Sequence, residues 1–201
     1  MKDDCGMISI RKEIFRKMVH LTSVLIVGSY YYFGKQVTLY LLAVTLILFI
    51  ESEYVRIEWK KILPLVHDGI REKERYTMAG HVFFLIGAII SISIFDMDIA
   101  IAAILMTTFG DSAAAIIGRK FGRTWIPGIK SKSLEGCFAE LVVNLVIGYL
   151  FLDSVIVILV MAFTATIVET LIEKLDDNLL IPVFSGFNGQ IVVFLLRVFG
   201  Y

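Results

Sequence analysis

The sequence predicts an all-α integral membrane protein, a polytopic bundle of about seven transmembrane helices. Of its 201 residues, 58% are hydrophobic, and the mean hydropathy is +0.81, whereas soluble domains are usually about 45–50% apolar. The apolar residues form long runs, and runs of about 18 or more residues with few charges are typical of transmembrane helices. In addition, loops rich in lysine and arginine alternate with loops that have almost none.

Seven apolar segments follow one another along the chain. They cover about Ile14–Phe33, Val37–Ile50, Met78–Phe95, Ile99–Ile117, Leu134–Leu152, the residues after Asp153 to about Ile172, and Leu179–Phe199. The second segment is short, which leaves open a tilted, broken or partly re-entrant helix. The charged stretch Glu51–Tyr76 predicts a loop with a short amphipathic helix.

The distribution of positive charge predicts the orientation of the helices. Lysine and arginine are concentrated in residues 1–17, in Glu51–Tyr76 and in Gly118–Ser133, whereas the alternate turns hold only Lys35. Because cytoplasmic loops are enriched in these residues, the pattern predicts a cytoplasmic N-terminus and an external C-terminus. We find no long linker, low-complexity tract or repeat, so residues 1–201 are predicted to form a single domain.

Several classes of protein are disfavoured by composition and motifs. The formal net charge is zero, so no basic surface indicates a nucleic-acid partner. Cys5 and Cys137 lie far apart and have no metal-ligand spacing. The N-terminal stretch is too acidic and too long for a signal-peptide n-region, so the first segment is predicted to be retained. P-loop, Rossmann, zinc-peptidase, serine-hydrolase and protein-kinase motifs are absent from the sequence.

The predicted topology brings four polar clusters to one membrane face. They comprise Arg16, Lys17 and His20; Gly110 and Asp111 with Gly118, Arg119 and Lys120; Lys130 to Gly136; and Glu169, Asp177 and Asn178. Cationic groups neutralise phosphate oxygens, carboxylates hold divalent ions, and glycines let backbone N–H groups approach phosphates. The clusters therefore predict a site for a nucleotide and a metal ion.

Asp111 is the strongest single signal, because it lies inside the apolar stretch Ile99–Ile117. A charge at the centre of a transmembrane helix costs about 2.5–3.5 kcal/mol on insertion scales, so such a residue usually faces a polar cavity and serves a function. The alternative is an interfacial aspartate paired with Arg119. We favour the functional interpretation.

The segment Lys130–Gly136, which contains K-S-K-S-L-E-G, has two interpretations. Its lysines are explained by the orientation rule alone, but orientation requires neither Glu135 nor Gly136. Composition does not decide between orientation and function. The cations and the histidine of the first cluster have a similar alternative, as snorkelling and interfacial side chains.

Together these motifs resemble the family of polyprenol (dolichol) kinases, phytol kinases and CTP-dependent diacylglycerol kinases. The resemblance rests on R-K-x-x-H at Arg16–His20, G-D-x-x-A at Gly110–Ala114, G-R-x-F-G at Gly118–Gly122, K-S-x-E-G at Lys132–Gly136, and Glu169 followed by Asp177, Asn178 and Pro182. Cys137 stands where the family commonly has serine. The chain is also similar to CTP:phosphatidate cytidylyltransferases, but their longer C-terminal signature is not visible in it.

The resemblance implies CTP as co-substrate, Mg²⁺, and a membrane isoprenoid alcohol or diacylglycerol as phosphoryl acceptor, with no partner fixed beyond these and membrane lipids. The expected catalytic residues are Asp111, Lys132, Glu135 and His20. The expected nucleotide-binding residues are Arg16, Lys17, Gly110, Gly118, Arg119, Lys120, Lys130, Ser131, Ser133, Gly136 and Asn178. The expected metal ligands are Asp111, Asp177 and Glu169. Either Glu135 or His20 is the expected proton acceptor, and the oligomeric state stays open.

The expected location is a cytoplasmic membrane, or an equivalent of the endoplasmic reticulum membrane, with a cytoplasmic active site. Two other classes of function remain: a cytidylyltransferase that makes a CDP-lipid, and a lipid transporter without covalent chemistry. Paired broken helices in an inverted repeat would favour a transporter, and the sequence has no clear pair.

Overall fold

The computed structural model of the protein describes residues 23–58, 78–126, 132–172 and 175–200. The helices are α1 (Ser23–Glu58), α2 (Gly80–Ile94), α3 (Met97–Leu105), α4 (Asp111–Phe121), α5 (Leu134–Phe151), α6 (Val155–Leu171) and α7 (Asp177–Val198). A π-helical turn, Met106–Gly110, joins α3 to α4. These ranges contain no strand, only one isolated β-bridge, so the all-α prediction is confirmed for the described residues.

Four helical stretches in the described residues are long and apolar enough to cross a membrane. They are Ser23–Glu58, the continuous helix Met97–Phe121, Leu134–Phe151 and Asp177–Val198. The helices α2 and α6 are apolar but shorter, with 15 and 17 residues. Length and composition thus support a membrane protein, because about 20 apolar residues span a bilayer. The count of seven spans and the cytoplasmic N-terminus stay predictions.

The first two predicted segments both fall on α1, which is broken at Gly34. There φ is 78°, a left-handed conformation that glycine adopts without a steric penalty. The Thr38 hydroxyl donates to the Gly34 carbonyl oxygen at 2.9 Å and lies 3.1 Å from the Ser29 hydroxyl across the break. The break therefore coincides with the predicted boundary between these segments. Residues 51–58, expected to begin a loop, continue the helix.

The chain divides into two compact units, residues 1–85 and 86–201. In the first unit, the buried carboxylate of Glu53 accepts two hydrogen bonds from Arg56, at 3.0 and 2.6 Å. It accepts another from the backbone N–H of Ala79 at 2.9 Å. The ion pair with Arg56 offsets the buried charge of Glu53. The bond from Ala79 holds the start of the segment that leads into α2. The single-domain organisation stays a prediction.

The second unit is a packed helical bundle. Its main neighbouring pairs are α4 with α5, α5 with α6, α6 with α7, and α3 with α7. Fully buried apolar side chains, including Ile104, Met106, Met161 and Ile181, fill the interior. Pro182 lies within α7, and it packs so closely on α2 that a Cβ added at Gly87 would lie 2.9 Å from its ring. Of the predicted site residues, those that the structure describes lie within this second unit.

Candidate active site

Three helix ends of the second unit meet around Lys132. This residue lies two positions before Leu134, the first residue of α5. Its ammonium group forms an ion pair with the carboxylate of Glu169, near the end of α6. Asp177, the first residue of α7, lies within electrostatic range of both groups. The side chain of Lys132 is mostly buried and that of Glu169 is almost fully buried. The bundle therefore places a shielded ion pair where the ends of α5, α6 and α7 converge.

Carboxylates outnumber cations among the described residues of this cluster. Asp111, Glu140 and Glu169 are 6%, 1% and 2% exposed. The charges of Asp111 and Asp177 act on both glutamates. Lys132 is the described cation that acts on them, so the cluster is net negative if all groups are ionised. An excess of buried negative charge is unfavourable unless cations offset it.

The position of Asp111 depends on the π-helical turn that precedes it. A π turn has wider hydrogen bonding than an α turn and often occurs at functional sites. Thr107 and Thr108 in the turn donate their hydroxyls to carbonyls one turn earlier, at 2.8 and 3.1 Å. Ser112 donates likewise to the Thr108 carbonyl at 2.7 Å. These hydroxyls satisfy backbone carbonyl groups in and before the π turn. Helix α4 begins directly after the turn, with Asp111 buried in the cluster.

The ammonium of Lys132 is held in its charged form. Burial by itself lowers its pKa, but attraction to Glu169, and then to Asp111 and Asp177, more than offsets burial and raises the pKa above its usual value. A lysine in this setting stays protonated at physiological pH. It therefore supplies a permanent positive charge inside the cluster.

A small antiparallel pairing fixes the backbone of Lys132. The N–H of Ile126 donates to the Lys132 carbonyl at 3.1 Å, and the N–H of Leu134 donates to the Thr124 carbonyl at 2.9 Å. The carboxylate of Glu135 accepts the N–H of Thr124 at 3.0 Å. Glu135 thus joins the two paired stretches, residues 124–126 and 132–135, next to Lys132.

Helices α4 and α5 cross at glycine residues. A Cβ added at Gly136 would lie 2.9 Å from the Ala114 carbonyl oxygen and 3.2 Å from the Cα of Gly118. Ser133 caps α5 here, because its hydroxyl accepts the N–H of Gly136 at 3.2 Å. Gly118 and Gly136 therefore allow close helix packing, and Ser133 satisfies a helix terminus.

Comparison with known proteins finds several lipid kinases. The chain is 30% identical over 148 residues to CTP-dependent diacylglycerol kinase 1 of Saccharomyces cerevisiae, covering 70% of the chain and 51% of that protein. It is 26% identical over 203 residues to CTP-dependent diacylglycerol kinase 1 of Schizosaccharomyces pombe, covering 89% of the chain and 92% of that protein. A probable chloroplastic phytol kinase of Triticum aestivum is 28% identical over 153 residues, covering 67% and 49%. The chain is a homologue of these lipid kinases.

The predicted family resemblance is thereby confirmed. The chain spans about half the length of the Saccharomyces and Triticum relatives and nearly all of the Schizosaccharomyces relative. No protein-family model matches this lipid kinase homologue. No solved structure matches it either.

The remaining predicted site residues of this homologue lie at the margin of the cluster or outside the described ranges. Arg119 and Lys120 are exposed in the last turn of α4, where cations complement the helix dipole. Asn178 is buried at the start of α7, and its side-chain amide donates to Asp176 at 2.7 Å. The residues outside the described ranges are Arg16, Lys17, His20, Lys130 and Ser131. All these assignments stay predictions.

The sequence analysis missed Glu140. This residue lies in the middle of α5, one helical turn before Asn144. The rule that drew attention to Asp111, a charge within an apolar span, applies equally to Glu140. That rule would have found it.

The donor chemistry of the cluster fits a divalent cation bound together with phosphate. Carboxylate oxygens are the protein ligands that Mg²⁺ prefers, and Mg²⁺ is usually held by one or two carboxylates with water and substrate phosphates. One oxygen of Glu169 and both oxygens of Glu140 are buried and have no hydrogen-bond partner in the described structure. No three His, Cys, Asp or Glu residues in the described ranges are grouped to hold a metal ion alone. The residues suit a shared nucleotide–metal site rather than a closed metal cage.

Proposed function

We propose that the chain is a CTP-dependent lipid kinase, which transfers the γ-phosphoryl group of CTP to the hydroxyl of a membrane lipid. The observation that carries the proposal is the buried Lys132–Glu169 ion pair among Asp111, Glu140 and Asp177. Phosphoryl transfer requires mainly positioning and charge stabilisation. A shielded cation among carboxylates at converging helix ends meets both requirements. The names of the relatives supply the nucleotide and the class of acceptor.

Lys132 is the proposed phosphate-binding residue. In the nucleotide-bound protein, a phosphate oxygen would accept from its ammonium group in place of, or beside, Glu169. Charge-assisted hydrogen bonds of this kind are about twice as strong as neutral ones. Arg119 and Lys120 at the end of α4 are proposed to add positive charge near the phosphates. Ser133, Gly118 and Gly136 would then contribute by holding α4 and α5 in register.

Asp111 and Asp177 are proposed to hold Mg²⁺, with Glu169 as a further ligand. When bound, Mg²⁺ neutralises phosphate oxygens and orients the triphosphate. The excess of carboxyl groups over cations among the described residues of the cluster supports this assignment, because a divalent cation stabilises the ionised form of nearby carboxyl groups. Glu169 would be released for this role when a phosphate takes its place on Lys132.

The acceptor is proposed to be a diacylglycerol or an isoprenoid alcohol of the phytol or polyprenol type. Its hydrocarbon would lie among the apolar helices and its hydroxyl at the cluster. Glu135 or His20 is the proposed acceptor of the hydroxyl proton, and Arg16 and Lys17 are proposed to close the site. The loop charges support a cytoplasmic site.

The decisive experiment uses CTP labelled at the α or at the γ phosphorus. Purified protein in detergent micelles is incubated with Mg²⁺ and, separately, with 1,2-dioleoylglycerol, phytol and a polyprenol. We expect label in the lipid only from the γ position, CDP as the second product, and higher turnover with CTP than with ATP. The Asp111→Asn variant is the matched control.

Two outcomes would contradict the proposal. Label that enters the lipid from the α position with release of pyrophosphate, when phosphatidate replaces the alcohols, would identify a cytidylyltransferase. No transfer from either position to any of these lipids would favour a protein that binds or transports lipid without covalent chemistry.

A further inference from the structure

Glu140 has a property that the proposed phosphate and metal sites do not explain. It is 1% exposed, and neither carboxylate oxygen has a hydrogen-bond partner among the described residues. Lys132, the cation within reach, is instead paired with Glu169. Buried polar groups are almost always hydrogen-bonded, and an isolated buried charge is strongly unfavourable. A carboxylate that is left without a protein partner therefore points to a ligand that supplies a donor.

The surroundings of Glu140 offer a second acceptor. Asn144 follows it by four residues, so both side chains lie on the same face of α5. The Asn144 amide nitrogen donates to the Thr166 hydroxyl at 3.2 Å, and its side-chain oxygen is buried without a partner. The Asn144 amide lies close to Glu140 but outside hydrogen-bond geometry. Three buried acceptor atoms thus lie near each other on one helix face.

Gly110 supplies the space on the facing helix. A Cβ at this position would lie 2.5 Å from the Asn144 side-chain oxygen and 3.2 Å from the Cγ of Glu140. Any larger residue would therefore displace these two side chains. The glycine just before Asp111 keeps the acceptor atoms beside the proposed metal ligand.

Depth separates Glu140 from the ionic end of the site. It stands six positions after Leu134, the first residue of α5, and at 1.5 Å per residue this is about 9 Å into the helix. Lys132 lies two positions before the start of α5, and Asp177 is the first residue of α7. The hydroxyl of a lipid whose hydrocarbon lies in the apolar part of the bundle could reach Glu140. It would then lie next to a nucleotide bound at the helix ends.

We propose that Glu140, assisted by the side-chain oxygen of Asn144, binds the hydroxyl of the lipid acceptor and selects a neutral alcohol over a lipid phosphate. The proposal rests on the proposed kinase function and names the acceptor site within it. An alcohol hydroxyl can donate a hydrogen bond to a carboxyl group or accept one from it, whereas the charge of a phosphate monoester is unfavourable among the buried carboxyl groups of this cluster. Glu140 thus fits a substrate before phosphorylation and favours release of the product.

The test compares Glu140→Gln, Asn144→Ala and, as a matched control, Asn188→Ala. Asn188 donates to Thr164 at 3.1 Å, as Asn144 does to Thr166, but its oxygen is not among the buried unpartnered atoms. We expect Glu140→Gln to raise the KM for phytol and for 1,2-dioleoylglycerol about tenfold, because the amide keeps an acceptor oxygen but binds the hydroxyl less strongly than the carboxyl group does. The KM for CTP should change less than twofold, and Asn188→Ala should match the wild type in both constants.

A binding measurement without nucleotide separates this proposal from the kinase proposal. Tritiated phytol and phytyl phosphate are titrated against the purified protein in detergent. The wild-type protein should bind phytol more tightly than phytyl phosphate. In Glu140→Gln the ratio of the two affinities should fall at least about fivefold, because phytol binds more weakly and phytyl phosphate more tightly. If no kinase activity is found in wild type but this change in preference is, the kinase proposal fails and the acceptor site stands.

Three results would overturn the acceptor site. One is an unchanged KM for lipid and an unchanged preference in Glu140→Gln. Another is a change confined to the KM for CTP, which would place Glu140 with the nucleotide. The third is loss of the folded protein in Glu140→Gln, measured by size-exclusion chromatography, since an unpartnered carboxylate should not be needed for folding.

Discussion

At the scale of single residues, the site depends on charges that the apolar helices bury. Asp111, Glu140 and Glu169 are each less than 7% exposed. Each would be costly in a membrane helix without a polar partner. Their convergence on Lys132 supports the proposal that a charged substrate binds at these helix ends.

Asp111→Asn should abolish turnover while the protein stays folded. The change keeps the size of the side chain and removes the charge proposed to hold Mg²⁺. Because a metal ion contributes several kcal/mol to charge stabilisation, we expect kcat to fall on the order of a thousandfold. Asp98→Asn is the control, since Asp98 is exposed in the first turn of α3, at the other end of the same continuous helix. Near-normal kcat in Asp111→Asn at saturating Mg²⁺ would rule out the metal role.

Lys132→Ala should reduce activity and stability for different reasons. Loss of the phosphate contact should lower kcat/KM for CTP at least about tenfold. Loss of the ion pair leaves Glu169 buried without its cation, a change that typically costs about 3–5 kcal/mol. The double variant Lys132→Ala/Glu169→Gln removes that unpaired charge. It should regain most of the thermal stability but none of the activity, and recovery of activity would return Lys132 to a structural role.

At the scale of helices, glycines decide how closely α4 and α5 approach. Gly118, Gly136 and Gly110 all face the neighbouring helix, and in each case an added Cβ would meet it at 3.2 Å or less. The sequence motifs G-D, G-R and E-G are therefore also packing motifs. Small residues at such contacts are a general feature of helices that associate in membranes.

Gly136→Ala should lower the melting temperature in detergent. The new methyl group would meet backbone atoms of α4, which yield less readily than side chains, and overpacking of this kind costs about 1–3 kcal/mol. Gly28→Ala is the matched control, because its Cβ would meet nothing within 4 Å in α1. An unchanged melting temperature with a raised KM for CTP would contradict the packing role. It would indicate that Gly136 serves only in nucleotide binding.

At the scale of the whole molecule, function depends on which membrane face holds the cluster. Arg123 is exposed after α4, in the predicted cytoplasmic loop, and Asp153 is exposed in the turn between α5 and α6. Since α5 joins the two positions, they should lie on opposite faces of the membrane. The charge asymmetry of the loops predicts that Arg123 lies on the cytoplasmic side.

Cysteine labelling in intact cells tests this topology. In a background with Cys5→Ser and Cys137→Ser, an impermeant maleimide should label Asp153→Cys from outside. It should label Arg123→Cys only after permeabilisation. The Cys137→Ser change replaces the thiol, which lies 3.2 Å from the Thr170 hydroxyl, with a hydroxyl that can also form a hydrogen bond there. Labelling of Arg123→Cys in intact cells would place the cluster on the external face.

The sequence alone determined the features that depend on local composition. Long apolar runs predict helices wherever they occur, and the described helices α2 to α7 fall on the predicted segments. The break at Gly34 was also predictable, because the chain between Phe33 and Val37 interrupts the apolar run. Asp111 was identified because a charge in an apolar run is visible without any knowledge of its neighbours.

Only the tertiary structure decided which side chains meet. The pairing of Lys132 with Glu169 joins residues 37 positions apart, and it depends on how α5 and α6 rotate against each other. The π-helical turn changes the direction in which Asp111 points. The residues of Met106–Gly110 show no pattern that predicts such a turn. Glu140 lies beside Gly110 and the proposed site because close packing brings α5 to the start of α4. The pattern of apolar and charged residues is a local property of the chain. Which side chains come together is set by the packing of one helix against another.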